Sequence, residues 1–351
     1  MKYTLEEIRK IPIFFIVGKG RSGTTLLSNI LDSHLNVASA TESRFVLILW
    51  LKYKNLKVWK PEMAEEFYQV LLEDYRIKYM WEFEDSFLEQ LKSLPPETKV
   101  QELIKVVYIY KKSMFPKEHI KFIIDKNPRY TLFLNRLQTI FKEAKFIRIL
   151  RDPRDNVVSS LKYSNKKVGA IGFKWLIYNN KFDRFSAKNP NNCHSKSFEQ
   201  LIINKGEYFR EFENFTGIKG LAEIESKRLQ IRDQFEEKFT EKLRIQHQGS
   251  VKPLDPKKIG HFKVKLNEQQ IEAVEASVFP FAAKYGYKKT TNVLPIKPLK
   301  KIKLEWKHNY RFFKNGLLYD LPYPLFLTVR KFMLDNVSKG KKKKLDQLIN
   351  D

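Results

Sequence analysis

Residues 16–27 read IVGKGRSGTTLL, and the glycines of this stretch decide the fold. The apolar run Ile11–Val17, broken only by Pro12, precedes them and predicts a buried β-strand. Apolar residues at helical spacing follow over Thr24–Ser33, which predicts a helix. A strand, a glycine-rich turn and a helix in this order form a cradle for a phosphate group, because backbone N–H groups point into the turn and the helix N-terminus carries partial positive charge.

This loop lacks the lysine of a nucleotide-hydrolysing P-loop. Gly18 and Gly23 have the GxxxxG spacing, but Thr24 follows where a lysine would reach the β- and γ-phosphates. The cation is Arg21, two residues before the second glycine. The loop is therefore predicted to bind a phosphate-type anion, but not ATP in the usual way.

The composition is that of a folded, strongly basic protein. Of 351 residues, 42% are hydrophobic and 14% aromatic, enough for one large α/β domain with additions or for two domains. The net charge of +26 favours polyanionic partners: a doubly phosphorylated cofactor, acidic glycans, anionic lipid headgroups or nucleic acid. A lysine-rich composition of the whole proteome explains the charge equally well.

The sequence also carries signals of cellular location. Cys193 is the only cysteine, so no internal disulfide is possible, which fits a reducing compartment. The first strand begins about ten residues from Met1, which leaves no room for a signal peptide before the fold. No run of about 18 apolar residues is present to form a transmembrane helix. We expect a cytoplasmic protein, peripheral at the inner membrane face if its basic tail binds lipid.

Strand and helix patterns alternate along the chain. Besides the first strand, apolar runs predict strands at 37–40, 120–124 and 146–150. This alternation predicts an α/β fold, with a P-loop-type central parallel β-sheet, flanking helices and right-handed crossovers. Ligands bind such sheets at the carboxyl ends of the strands, where the glycine loop also lies.

Three segments are additions to this fold. Residues 44–115 are mostly helical in pattern and rich in aromatic residues, which predicts a helical insertion covering the site. Residues 221–247 contain no Gly or Pro and predict a long amphipathic packing helix. From residue 288 to 351 there are 16 Lys and Arg against 5 Asp and Glu, a net charge of +11. We therefore predict a domain at 1–290 and a basic C-terminal extension at 291–351.

A second basic motif, LRDPRDNVVS, occupies residues 150–159. Arg151 ends a predicted strand, and a fixed guanidinium binds phosphate through two hydrogen bonds. Ser159 lies in the next helix and adds a neutral hydroxyl donor. Taken alone, an arginine–aspartate turn is more often a structural ion pair.

Together, the two motifs resemble those of sulfotransferases that use PAPS (3′-phosphoadenosine 5′-phosphosulfate), most closely the tyrosylprotein sulfotransferase-like and bacterial branch. In that superfamily the 5′-phosphosulfate loop reads (K/R)-S-G-T-T, which residues 21–25 match, with the arginine of that branch. A strand-ending arginine and a serine eight residues later bind the 3′-phosphate, and Arg151 and Ser159 have this spacing. Residues 257–263 match, more weakly, a basic-glycine-aromatic segment that closes over the nucleotide. The resemblance implies that PAPS and its product PAP are bound by Gly20, Arg21, Ser22, Gly23, Thr24, Thr25, Arg151, Ser159, Lys258 and Gly260.

The resemblance also implies which residues are catalytic. A Glu-Thr-Arg segment follows the loop in the tyrosylprotein branch, and Glu42-Ser43-Arg44 stands there in this chain. Glu42 would be the general base, and Arg44 would orient the acceptor. Lys126 would stabilise the transition state, and Arg21 would neutralise the bridging oxygen of the leaving group. Trp175, on a later helix, is interpreted either as lining an acceptor cleft or as a core residue.

These residues predict metal-independent, in-line sulfuryl transfer to a hydroxyl group. Charge on the leaving group is delocalised over the phosphate, so the reaction does not demand a metal. The six His and one Cys do not form a ligand cluster of metal-site spacing. The acceptor stays open among glycan, lipid, peptide and small-molecule hydroxyls.

Two other functions remain. One is a P-loop kinase-like phosphotransferase with a displaced cation. The other is a non-catalytic basic module that binds nucleotide, nucleic acid or anionic membrane through its tail, where Lys300, Lys301, Trp306, Tyr310 and Tyr319 allow stacking, phosphate contact or an interfacial helix. We expect no nucleic-acid partner for the enzyme.

Overall fold

The computed structural model describes residues 3–164, 166–224 and 255–332. Its centre is a sheet in which every pairing is parallel, in the order β2-β3-β1-β4-β5. The strands are β1 Ile13–Val17, β2 Val37–Thr41, β3 Phe122–Lys126, β4 Lys145–Leu150 and β5 Cys193–Ser197. The predicted α/β fold with a central parallel sheet is therefore confirmed.

Two strands differ from the prediction. β5 was not predicted, because its sequence CHSKS is polar and half-buried along its whole length at the sheet edge. β3 continues through Asp125 and Lys126, which the sequence placed after the strand. Lys126 therefore pairs in register with Ile16 of β1, and the sheet fixes its backbone.

Helices cover both faces of the sheet. Those of the described residues are α1 Leu5–Lys10, α2 Thr24–Asp32, α3 Phe45–Tyr53, α4 Met63–Leu72, α5 Tyr75–Met80, α6 Phe87–Lys92, α7 Val100–Ile109, α8 Leu134–Ile140, α9 Pro153–Leu161, α10 Val168–Ser186, α11 Phe198–Ile203, α12 Lys205–Thr216, α13 Phe262–Lys265, α14 Glu268–Val278 and α15 Pro298–Leu317. A 3₁₀ turn, Pro128–Leu132, follows β3.

Alternate residues of β1 enter two separate cores, as the two-residue period of a strand requires. Phe15 and Val17 pack with the helices α3–α7. Phe14 and Ile16 pack on the opposite face with α2, α11 and α12. A third core joins α9, α10 and α14 beyond the sheet.

The predicted helical insertion over 44–115 folds as helices α3–α7. In the basic extension, Tyr319 and Phe326 are buried in the same core as α3–α7, so this part of the extension packs on the domain. The boundary at residue 290 stays a prediction. Of the predicted helix at 221–247, residues 225–247 lie outside the described residues, as do residues 333–351 of the extension. Within the described part of the chain, no helix is both long enough and apolar enough to cross a bilayer.

The backbone at Gly23 generates a stability prediction. Gly23 has a φ of 95°, and a Cβ added there would lie 2.4 Å from the ring of Phe198. We expect Gly23→Ala to lower the free energy of unfolding by about 2 kcal/mol or more, because a left-handed backbone and a steric overlap both oppose it. Urea unfolding measures the change.

The matched control is Gly206→Ala, near the start of α12, where an added Cβ has no heavy atom within 4 Å. Alanine favours a helix over glycine by about 0.5–1 kcal/mol, so this variant should be equally stable or more so. Equal losses in both variants would contradict the role given to Gly23.

Candidate active site

The glycine loop between β1 and α2 is held in place from outside. The Gly18 N–H donates to Thr131 Oγ1 at 2.7 Å, which ties the loop to the turn after β3. Asn156 Nδ2, on α9, donates to the Gly20 carbonyl and to Ser22 Oγ, both at 3.0 Å. The loop is therefore preformed at the start of α2, where the first-turn N–H groups have no partner within the helix.

The two predicted phosphate motifs meet at Arg21. Its Nε donates to Ser159 Oγ at 3.3 Å, and its guanidinium carbon lies 4.3 Å from the centre of the Tyr163 ring. Arg21 itself has a φ of 74°, in the left-handed region that is uncommon for residues other than glycine. The structure thus brings together two residues that are 138 positions apart.

Arg151 is buried behind the loop. Its Nη1 donates to the Arg21 carbonyl at 3.4 Å and its Nη2 to the Lys258 carbonyl at 2.8 Å. Its buried Nε has no hydrogen-bond partner among the described residues. Burial lowers the pKa of Arg151, partly offset by Asp155 and Glu199. A buried cation with an unused donor suits an anionic ligand.

The segment 257–263 is docked against the same helix as Ser159. The Asp155 carboxylate accepts hydrogen bonds from the N–H groups of Gly260 and Phe262, each at 2.8 Å. The Arg154 guanidinium lies 4.0 Å from the centre of the Phe262 ring. The segment therefore lies beside Arg151, and contact of Lys258 and Gly260 with a ligand stays a prediction.

Glu42 and Lys126 form an ion pair at the ends of β2 and β3. Lys126 Nζ donates to Glu42 Oε1 at 2.9 Å, and Arg76 Nη2 lies 3.1 Å from Oε2. The Lys126 side chain is 3% exposed and that of Glu42 36%, so solvent reaches the carboxylate only. Burial would raise the pKa of Glu42, but the charges of Lys126, Arg76 and Arg129 outweigh it and lower the pKa to about 2.

The two residues predicted to contact the acceptor substrate are engaged in contacts within the protein. Trp175 is completely buried, and its Nε1 donates to the Arg151 carbonyl at 3.0 Å, so it supports Arg151 from the core and does not line a cleft. Arg44 is the residue before α3, and its Nη1 donates to the Tyr319 hydroxyl at 3.5 Å. Its guanidinium thus contacts the C-terminal extension, and its role toward an acceptor stays a prediction.

A cleft of about 580 Å³ opens in front of the loop and Glu42. Its lining contains five cationic side chains and one carboxylate, that of Glu42, and sequence reasoning missed most of the cations. The cations are Lys19, Arg21, Arg129, Lys166 and Lys174. The i, i+3, i+7 spacing of Ile171, Lys174 and Tyr178 on α10 was the available signal, whereas Lys19 and Arg129 stand inside motifs that were read for other residues.

Burial and mutual repulsion lower the pKa values of two lysines in the cleft. Burial lowers the pKa of Lys19 to about 7, aided by the charges of Lys174, Arg21 and Lys166. Burial likewise lowers the pKa of Lys174, together with Lys166 and Arg129. Because the positive charges of the cleft repel one another, a bound anion would relieve this repulsion and would itself be strongly stabilised.

Two further observations delimit the site. A larger groove of about 1140 Å³ lies between α8, α10 and the end of α15, and of the residues discussed above Thr131 alone lines it. Among the residues that the structure describes, no group of three or more His, Cys, Asp or Glu is placed to hold a metal ion.

Comparison of the sequence with known proteins identifies the family of this chain. A model of the "Sulfotransferase family" matches residues 12–222, so the chain belongs to the sulfotransferase family. It is 23% identical to protein-tyrosine sulfotransferase 1 of Danio rerio over 220 residues, which are 60% of this chain and 54% of that protein. For the Rattus norvegicus protein of the same name the identity is 27% over 171 residues, 48% of this chain and 38% of that protein. The chain thus spans about half or less of these curated relatives.

Solved structures of low similarity include other sulfotransferases. The sulfotransferase domain from the Synechococcus PCC 7002 olefin synthase has a TM-score of 0.45 and 16% identity, covering 80% of this chain and 96% of that domain. Mouse sulfotransferase SULT7A1 complexed with PAP has a TM-score of 0.43 and 12% identity, covering 82% and 93%.

Asp155 provides a test of how the segment 257–263 is held. We expect Asp155→Ala to raise amide hydrogen exchange at Gly260 and Phe262 by about tenfold or more, because both N–H groups lose a charged acceptor, each such bond being worth about 1.5–3 kcal/mol. Hydrogen-exchange mass spectrometry of the peptide spanning these residues measures it. Asp255→Ala is the control, since among the described residues that carboxylate accepts from the Lys257 N–H of its own exposed turn and not from the segment 260–262. Unchanged exchange in Asp155→Ala would show that other contacts hold the segment.

Proposed function

We propose that this chain is a sulfotransferase that moves a sulfuryl group from PAPS to a hydroxyl acceptor by in-line displacement, with Glu42 as general base. One observation carries the proposal: the glycine loop, Arg151 and the Glu42–Lys126 pair converge at the carboxyl edge of one sheet. An anion-binding loop beside an ionised carboxylate and a buried lysine provides a donor site and a base together.

The donors present fit a nucleotide with two anionic groups. The preformed loop and the N-terminus of α2 would hold the 5′-phosphosulfate, as family membership suggests for residues 20–25. Arg151 and Ser159 would hold the 3′-phosphate, and the unpartnered Nε of Arg151 supports this assignment. When bound, PAPS supplies the sulfuryl group, and PAP is the product.

Glu42 would accept the proton of the acceptor hydroxyl. In the free protein the carboxylate is ionised but weakly basic, because Lys126 and Arg76 hold its pKa near 2. Arg129 lines the cleft, and its charge contributes to this low pKa. An anion bound there would offset that charge, so the basicity of Glu42 would rise when the site is filled.

Lys126 and Arg21 would place positive charge where negative charge develops. Lys126 is fixed by the sheet and by Glu42, so its ammonium needs no reorganisation. The curated relatives are named for protein tyrosine, so a peptide tyrosine is one acceptor within this proposal, alongside glycan, lipid and small-molecule hydroxyls.

Product binding and the Glu42→Gln variant test the proposal together. PAP at 100 times its Kd should add about 2.7 kcal/mol to the free energy of unfolding and so raise the melting temperature, whereas Mg-ATP should stabilise the protein far less. Glu42→Gln should lower sulfuryl transfer from labelled PAPS by about 10²–10⁴-fold, because the amide cannot accept the proton, and should still bind PAP.

Glu62→Gln, at an exposed glutamate before α4, is the matched control and should keep full activity. Preference for Mg-ATP over PAP would identify a kinase-like protein. Full activity of Glu42→Gln would remove Glu42 from the mechanism and leave the donor assignment standing.

Lys19 gives the site a pH dependence. With a pKa of about 7 in the free protein, Lys19 is about half protonated near pH 7, and a bound anion would raise that pKa. PAP binding should therefore take up about half a proton near pH 7, and affinity should fall as the pH rises above 7. Calorimetry in Tris and in HEPES measures the uptake from the difference in buffer ionisation heat. The uptake should disappear in Lys19→Met, and an unchanged uptake would assign the proton to another group.

A further inference from the structure

Helix α15 carries an exposed apolar stripe. Its members are Leu299, Ile302, Trp306 and Tyr310, spaced by three, four and four residues, so they share one face of the helix. Their exposed fractions are 83%, 60%, 68% and 50%. Large apolar side chains that form such a continuous exposed face mark an interaction surface.

The opposite face of the same helix is anchored to the domain. Leu304 packs against the core of α9, α10 and α14, and it also lines the cleft that contains Glu42. At 100° per residue, Leu304 lies roughly opposite the centre of the stripe. The stripe therefore faces away from the domain while its helix borders the cleft.

The helix is strongly basic around this stripe. Residues 297–311 contain six Lys or Arg and one Glu. Lys303 follows Ile302 on the flank of the stripe and is exposed. Apolar and aromatic side chains beside lysines complement a surface that is apolar below and negatively charged above.

We infer that the α15 stripe docks this protein onto an anionic lipid bilayer, with the helix lying in the plane of the interface. Leu299 and Ile302 would enter the boundary of the acyl chains, and Trp306 and Tyr310 would lie at headgroup level, where amphipathic rings are favoured. Lys303 would remain among the anionic headgroups.

Two other occupants fit the surface less well. The rings of Trp306 and Tyr310 stack on each other, with centroids 5.6 Å apart and planes at 13°, so they do not present separate platforms for nucleic-acid bases. Leu299 and Ile302 offer neither a ring for base stacking nor a charge for phosphate. A second copy of the chain would bring the same positive charge against the stripe.

Docking through this face would hold the cleft on the domain side of α15, about one helix diameter, or about 10 Å, from the bilayer surface. An acceptor hydroxyl that projects about this far from the membrane would reach the cleft that contains Glu42. This part rests on the proposed function: it narrows the acceptor to hydroxyl groups carried by lipids or by membrane-anchored molecules.

Vesicle binding without any nucleotide tests the docking surface independently of catalysis. The full chain should co-sediment with phosphatidylcholine vesicles that contain phosphatidylglycerol, and much less with phosphatidylcholine alone or at high salt. The double variant Ile302→Gln/Trp306→Gln should bind anionic vesicles at least tenfold more weakly. Ile203→Gln is the matched control, since Ile203 is 74% exposed on α11, and it should bind like the unmodified chain.

Tryptophan fluorescence reports whether the stripe itself is inserted. Of the five tryptophans, all within the described residues, Trp59, Trp81 and Trp175 are buried, Trp50 is partly buried and Trp306 is largely exposed. Acrylamide should quench Trp306 in the free protein, and brominated lipids should quench it on vesicles. Trp306→Phe should keep the binding and lose this lipid-dependent signal.

Several outcomes would overturn the inference. Wild-type binding by the double variant would place the contact elsewhere, and a Trp306 already protected from acrylamide would mean that the stripe is covered. The surface would be assigned to another partner if the wild-type chain did not bind vesicles but associated with itself or bound a single-stranded oligonucleotide, and if the double variant lost that association. None of these results depends on PAP, so a failure of docking and a failure of the sulfotransferase proposal remain distinguishable.

Discussion

Parallel pairing of β1 with both β3 and β4 is the constraint on which the site depends. Ile16 pairs with Lys126 on one side and with Ile147 on the other, so the carboxyl ends of three strands are in register. Because crossovers of parallel strands return the chain to the same edge, the segments after β1, β2 and β4 all begin there. Glu42 joins this edge through its N–H, which donates to the Lys126 carbonyl at 2.9 Å. The pairing of the strands therefore brings the backbone segments of the site together, whatever side chains they carry.

The cationic side chains at this edge lower the stability of the folded protein. Lys19 and Lys174 both have lowered pKa values, which means that the folded protein disfavours their charged forms. Glu42 offsets part of this repulsion through Lys126 and Arg76, and its own low pKa shows how strongly the carboxylate is held. A ligand with two anionic groups would relieve the remaining repulsion, so the same charges that destabilise the free fold favour binding.

Much of the fold and part of the site could be predicted from the sequence, for physical reasons that differ between residues. The glycine loop and the strand before it, β1, have strong local patterns, because a buried parallel strand is apolar throughout and a tight turn needs glycine. β5 has no such pattern, since an edge strand half-open to solvent tolerates the polar sequence CHSKS. Arg76 and Arg129 reach Glu42 from separate elements, and the contact of Arg44 with Tyr319 spans 275 residues, so no local pattern marks them. Trp175 shows the converse, because an aromatic side chain on a helix has the same local pattern whether it lines a cleft or fills a core.

The displaced cation of the loop has a structural consequence beyond charge. With Arg21 in the left-handed region, its backbone is strained, and such strain persists only where the surroundings hold it. Asn156 donates to Gly20 and Ser22, the residues on either side of Arg21, and Arg151 donates to the carbonyl of Arg21. Both holding residues belong to the second motif, so that motif fixes the backbone of the first in addition to providing its own anion donors. A phosphate loop whose lysine follows the second glycine takes its cation from the start of a helix. Here the cation stands in the turn itself, and the second motif supplies the hydrogen bonds that hold the backbone on both sides of it.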